Sequence, residues 1–291
     1  MSALPQTPNR APWPAPAKLN LFLHVLGRRA DGYHEIQTAF QFVDLCDELR
    51  IETRNDGRIQ RLRGATEVPQ EEDLVVRAAN LLRQEAGVRS GATIDVIKRV
   101  PLGGGLGGGS SDAATTLVAL NCLWGLKFDT ARLAELALGL GADVPVFIHG
   151  HAAWGEGVGE RLQSLEPPES LYVVVRPDCA VSTREIFQAP ELTRNSHPIT
   201  IRAFLQGAGR NDCEPVVRSR YPQVAAALDW LSTFAPARLT GTGSCVYAAM
   251  SDERAAREVL ARLPSKWQGF VVRGLNSSPL LERLGRETVP G

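Results

Sequence analysis

Six glycines fall within the seven positions Gly103 to Gly109, in the run Pro101-Leu102-Gly103-Gly104-Gly105-Leu106-Gly107-Gly108-Gly109-Ser110-Ser111. Glycine loses more backbone freedom on ordering than any other residue, so a run this dense is costly unless close backbone approach is needed. Upstream, Thr93 to Val100 reads as a strand that Pro101 stops; downstream, Ser110 to Trp124 reads as a helix. A strand, a flexible turn and a helix in that order let successive N–H groups point inward at an anion. The helix start adds its own unpaired N–H groups and positive dipole end. The chain is therefore expected to fold around a phosphate cradle rather than a plain connection.

The residues alone leave the class of cradle open. A Walker A loop is excluded, because Gly109 stands where a lysine would precede Ser110. The dinucleotide fingerprint G-x-G-x-x-G is met by Gly103, Gly105 and Gly108, but so many glycines make that match nearly automatic. The acidic residue expected about 20 positions later at a strand end is missing, since Asp129 opens a helix. No H-R-D or D-F-G occurs. A nicotinamide-dependent oxidoreductase and a non-catalytic anion-binding module are among the readings that stay open.

Charge supports backbone capture of the anion. Thirty-two basic residues balance 32 acidic ones, giving net zero, a poor footprint for nucleic acid. At 291 residues, 44% hydrophobic and 22% charged, the chain is long enough for two modest domains and is neither disordered nor fibrous. Cys46, Cys122, Cys179, Cys213 and Cys245 show no C-x-x-C spacing and read as scattered thiols in a reducing compartment. Met1 to Ala17, with Pro5, Pro8, Pro12, Pro14 and Pro16, reads as a proline-stiffened tail and not a signal peptide. No apolar run reaches the ~18 residues of a membrane span. A cytoplasmic protein without membrane or nucleic-acid partners is expected.

Elsewhere the pattern gives strands over 19–25 and 36–51, a helix opened by Asp73 and closed at Gly87, and another over 128–140 capped by Asp129 or Thr130. The soft stretch Gly155 to Ser170 is expected to divide domains 1–163 and 164–291. Past it come a strand over 171–176, helices over 199–205 and 215–234, a strand over 237–250 broken by Gly241 and Gly243, a helix over 252–263 and a strand over 270–273. The alternation without βαβ regularity gives an α+β class. His149 and His151 are expected on one face of a strand, with no third ligand near enough for zinc.

Several stretches in one order resemble the GHMP small-molecule kinases: Pro16-Ala17-Lys18-Leu19-Asn20-Leu21, Arg29-Ala30-Asp31-Gly32-Tyr33-His34, the glycine loop, Gly141-Ala142-Asp143-Val144-Pro145-Val146-Phe147 and Leu239-Thr240-Gly241-Thr242-Gly243-Ser244. The finer likeness is to the branch that acts on a cytidine-diphosphate-linked methylerythritol in isoprenoid-precursor synthesis, and it covers the chain from about Trp13 to Pro279. The resemblance implies an N-terminal ribosomal-protein-S5-like domain, a C-terminal ferredoxin-like domain, and ATP-dependent phosphorylation of a tertiary 2-hydroxyl. It implies Lys18 and Asp143 as catalytic residues and Pro101, Leu102, Gly103, Gly104, Gly105, Leu106, Gly107, Gly108, Gly109, Ser110 and Ser111 as the ATP loop. Asn20, Tyr33, His34, Thr183 and Phe187 would bind the substrate, with Tyr33 and Phe187 stacking on cytosine and His34 reading its edge. Magnesium would arrive with ATP rather than in a protein cage, with Ser110 or Ser111 offering a hydroxyl. The Gly241–Ser244 loop would pack against the phosphate region. Asp73 stands where family members often carry asparagine beside the adenine. The protein is expected as a monomer or homodimer.

Overall fold

The structure, a computed structural model, describes residues 11–288. Strands β1 (Trp13–Arg28) and β2 (His34–Arg54) form a long antiparallel ladder joined at a turn where Gly32 takes φ +89°. β1 starts four residues inside the expected tail. Pro14 and Pro16 are accommodated because this stretch pairs with β2 alone, leaving the other edge with no ladder bond to lose. Pro5 and Pro8 lie outside the described residues. The β1–β2 register shifts at Pro16/Ala17 and Asn20/Phe22, on either side of Lys18 and Asn20, and such bulges re-aim side chains.

After β3 (Ile59–Arg61), helix α1 (Leu74–Ala86) is capped by Asp73, whose side chain accepts from the Val75 amide. β4 (Gly91–Ile97) leads through the glycine run into α2 (Gly108–Leu123), which starts two residues before the expected Ser110. Next come α3 (Thr130–Leu138), α4 (Val144–His149), β5 (Ala153–Gly157) and β6 (Arg161–Ser164). Two expectations are corrected here. His149 ends a helix and His151 lies beyond the left-handed Gly150, so no strand presents the pair. Residues 155–164 are also no slack connection: β5 and β6 form a hairpin, and β5 pairs with β2.

The remaining chain gives β7 (Leu171–Arg176), α5 (Thr183–Gln188), α6 (Ile201–Leu205), α7 (Glu214–Arg220), α8 (Pro222–Ser232), β8 (Ala237–Leu239), β9 (Val246–Met250), α9 (Glu253–Ala261), β10 (Gln268–Leu275) and α10 (Pro279–Thr288). The single helix expected over 215–234 is two. Pro222 has no N–H and bars the helical conformation at Tyr221, which sits at φ −126° and ψ 83°.

The sheet runs β3-β4-β2-β10-β7-β9-β8, and β10 joins its two halves: residues 268–273 pair with β7, whereas Gly274 and Leu275 pair with Val43 and Phe42 of β2. One apolar core packs α1, α2 and α4 on β2 and β4. A second lies among β7, β9, α7, α8 and α9. A third, around Leu19, Phe22, Leu106, Trp154 and Tyr247, spans both halves. Among the described residues no helix is long and apolar enough to cross a membrane.

Candidate active site

The glycine loop closes over the bulged middle of β1. Lys18 N donates to Leu106 O at 2.9 Å, and the Lys18 side chain is 2% exposed. A buried ammonium needs all its donors met. Nζ of Lys18 reaches Asn20 Oδ1 at 2.5 Å, Gly105 O at 3.0 Å and Asp143 Oδ2 at 3.3 Å. Asp143 stands just before α4, makes no side-chain cap bond there, and is 38% exposed. One end of the ion pair is thus fixed in the protein and the other faces solvent. Asn20 is held in turn: its Nδ2 donates to Thr38 Oγ1 at 3.0 Å, and its amide to Thr240 Oγ1 at 3.0 Å.

Two glycines of the loop are required by space as well as conformation. Gly105 has φ +73°, and a Cβ there would come 2.2 Å from Thr240 O. Gly107, also at φ +73°, would put a Cβ 2.8 Å from the Phe147 ring and 3.2 Å from Lys18 Cε. Gly107 caps α2 with backbone alone. The first i→i−4 bond runs from Ser111 N to Gly107 O at 2.8 Å, so the amides of Gly108, Gly109 and Ser110 are the donors at the positive end. Ser110 is half-buried; Ser111 is fully buried, and its Oγ has no partner.

The second small-residue loop lies against the first, as the resemblance implied. Ser244 N donates to Gly103 O at 3.3 Å and Cys245 N to Gly104 O at 3.1 Å. Thr240 Oγ1 also reaches Gly105 O at 3.3 Å. Asn211 braces this loop, its Nδ2 donating to Leu239 O at 2.9 Å and Gly241 O at 2.8 Å. Beside Gly109 opens a cleft of about 230 Å³, lined by Leu74, Val96, Lys98, Leu102 and Asp112 among others. Asp73 borders this cleft, but its carboxylate is engaged by the Val75 amide and the Arg61 guanidinium.

The aromatic residues are divided between contact and exposure. The His34 ring lies 5.2 Å from Phe187, with 32° between planes, so the structure brings these two together across the halves. Tyr33 is 61% exposed. Thr183 Oγ1 meets Thr242 Oγ1 at 2.8 Å, which ties α5 to the second loop. Arg194, which no motif marks, donates from Nε to His34 Nε2 at 3.0 Å and from Nη2 to the Phe187 and Ala189 carbonyls. Burial first, then Arg194 and Arg28, lower the His34 pKa. The ring is therefore neutral near pH 7, and because Nε2 accepts, Nδ1 carries the proton.

His149 and His151 stack edge-on at 5.7 Å, and no group of three or more metal-ligating side chains occurs among the described residues. Thr38, Asn211 and Arg194 were not legible as site residues. Each acts through a partner at least 18 positions away in sequence, and no local pattern signals that.

Residues 73–151 match the model of the GHMP kinases N-terminal domain, and 190–269 that of the GHMP kinases C-terminal domain. The chain is 60% identical over 272 residues to a 4-diphosphocytidyl-2-C-methyl-D-erythritol kinase of Nitrosococcus oceani, covering 94% of this chain and 97% of that one. It is 59% identical to the enzyme of the same name from Alkalilimnicola ehrlichii, covering 94% of each. A crystal structure of 4-(cytidine 5'-diphospho)-2C-methyl-D-erythritol kinase superposes with a TM-score of 0.79 at 34% identity, covering 90% of this chain and 98% of that one. A Methanococcus jannaschii mevalonate kinase shares the fold, with a TM-score of 0.70 at 15% identity.

Proposed function

This chain belongs to the GHMP kinase family, and on that premise we propose that it transfers the γ-phosphoryl group of ATP to the 2-hydroxyl of 4-diphosphocytidyl-2-C-methyl-D-erythritol. The observation that carries the reading is the ion pair from buried Lys18 to half-exposed Asp143, formed where Lys18 also holds the Gly105 carbonyl. Family membership sets aside the dinucleotide reading of Gly103, Gly105 and Gly108. Residues 1–163 and 164–291 are read as the two domains, with the site in the cleft between them.

Phosphoryl transfer passes through a loose transition state, so positioning and charge stabilisation matter more than early deprotonation. Asp143 orients the acceptor hydroxyl. The oxygen of that hydroxyl bonds to the γ-phosphorus as the bond to the bridging β–γ oxygen breaks, ADP leaves, and the hydroxyl proton passes to the Asp143 carboxylate. Lys18 keeps Asp143 in place and offsets charge developing on the phosphoryl group. The amides from Gly103 to Ser110 cradle the triphosphate, and the cleft beside Leu102 and Leu74 receives the adenine. Magnesium bound to the nucleotide would supply charge neutralisation on the phosphate oxygens. Ser110, half-buried at the positive end of α2, is the hydroxyl suited to face it, whereas Ser111 is enclosed.

At the other end, Tyr33 and Phe187 present ring faces to the cytosine. The Nδ1 proton of His34 is a donor for the base edge, while Arg194 holds Nε2. Asn20 and Thr183 face the substrate between the two ends. A coupled assay of ADP release tests the function: turnover should depend on the cytidine-linked substrate. Equal or better turnover of mevalonate or homoserine would overturn the substrate assignment.

A further inference from the structure

A second buried charge cluster lies behind the glycine loop. The chain carries four lysines against 28 arginines, and one of the four, Lys98, stands just past the end of β4. Its Nζ donates to Asp47 Oδ2 at 2.5 Å and to Asp112 Oδ2 at 2.6 Å. Asp47, fully buried on β2, accepts on Oδ1 from the amides of Arg99 at 2.5 Å and Val100 at 2.8 Å. These are the residues immediately before Pro101. Asp112 belongs to the opening turns of α2. The ammonium therefore ties together the two stems from which the glycine loop springs, and Asp47 anchors the incoming stem by its backbone. A compact point charge suits this enclosed position, where a planar guanidinium would need more room.

The charges are unequal. Two carboxylates share one ammonium, and Asp47 has three donors where Asp112 has one, with Asp112 Oδ1 buried and unpartnered. Burial raises the Asp112 pKa, against the pull of Lys98 and with the push of Asp47. Asp112 is thus the carboxylate whose charged form burial disfavours. Lys98 and Asp112 reach the 230 Å³ cleft beside Gly109, whereas Asp47 is not among the residues lining it.

We propose that Asp47, Lys98 and Asp112 form a clasp across the stems of the glycine loop, acting as positioning residues that hold its amides ready for the triphosphate. The clasp rests on the reading of this loop as the ATP cradle. Glycine supplies the conformations the cradle needs but none of the rigidity, so the stems must supply it.

Asp47→Asn in the full chain is the deciding variant, because it keeps the oxygen for the Arg99 and Val100 amides but turns an N–H donor toward Lys98. In ligand-free protein, amide hydrogen exchange over residues 102–109 should quicken about tenfold or more, as local opening is released. By calorimetry, ATP affinity should fall about tenfold, the scale of a small misplacement, while CDP affinity stays within about twofold. At saturating ATP, kcat should fall by less than about threefold, the loss lying in KM. Asp112→Asn should also weaken ATP binding and flatten its dependence on pH around neutrality. If Asp47→Asn fails to fold, the same measurements on Asp112→Asn decide. Unchanged exchange in the loop, or equal losses of ATP and CDP affinity, would overturn the clasp. If the unaltered protein neither binds ATP nor transfers phosphate, the functional reading fails instead, and the exchange measurement still judges the clasp.

Discussion

The two ends of the candidate cleft are built on opposite plans. At the phosphate end the cation is enclosed and pinned: Lys18 is 2% exposed and holds three acceptors, of which only Asp143 faces solvent, and the loop it meets is tied to a second loop and to its own stems. At the cytidine end Tyr33 is 61% exposed, and the His34–Phe187 pair is held through one arginine. The contrast follows from the chemistry each end performs. Stabilising a charge that appears only in the transition state requires donors and counter-charges already in place. Stacking on a base needs a ring face and tolerates water at its edge.

That contrast is broken most directly at the ion pair. Asp143→Ala should lower kcat by about 10²–10⁴-fold, the range for a positioned proton acceptor, with ATP affinity nearly unchanged by calorimetry. Lys18→Ala should do comparable damage. Near-normal turnover in either would remove its assigned role. Gly105→Ala forces a side chain into left-handed backbone and against Thr240 O, so it should cost at least about 1–2 kcal/mol in denaturant unfolding and weaken ATP binding. A stable variant with unchanged ATP affinity would show that the loop has more room than its contacts indicate.

At the cytidine end the effects should be smaller. Tyr33→Ala removes one stacking face worth about 1–3 kcal/mol, seen as weaker CDP binding with kcat little changed at saturation. A large loss of kcat would show that this end is coupled to the chemistry. His34 offers a test by pH. Its folded pKa lies below the ordinary histidine value of 6.5, through burial and then Arg194 and Arg28, so the folded state favours the neutral ring. That contribution is complete above the unfolded value and is lost as pH falls below it, because unfolded histidine then binds the proton more readily. CDP affinity should weaken over the same acid range as Nε2 is protonated and releases Arg194. A flat profile there would detach His34 from the base. The smallest effect is expected from Asp73→Asn: asparagine caps a helix as well as aspartate, so ATP KM should change by less than about threefold.

Legibility in the sequence followed the same division. The strand, glycine loop and helix could be read because glycine density and periodicity are local signals, and Lys18 and Asp143 could be singled out because they lie within recognisable motifs. What escaped depends on distant partners. Asp47 carries no local mark, yet it grips residues 51 to 53 positions away. Arg194 meets His34 across 160 positions. The β5–β6 hairpin was hidden because Gly155, Gly157 and Gly159 read as slack, whereas β5 takes its order from β2. Pro14 and Pro16 concealed the start of β1, since proline argues against a strand unless one edge is unpaired.

The central claim is that the amides between Pro101 and Ser111 hold the triphosphate with its terminal group within reach of Asp143. A crystal structure with a non-hydrolysable ATP analogue and the cytidine-linked substrate bound together tests it most directly. The account requires the phosphates on the loop amides and the acceptor hydroxyl within hydrogen-bond distance of Asp143, between carboxylate and γ-phosphorus. A nucleotide bound elsewhere, or an acceptor oxygen remote from that carboxylate, would contradict it.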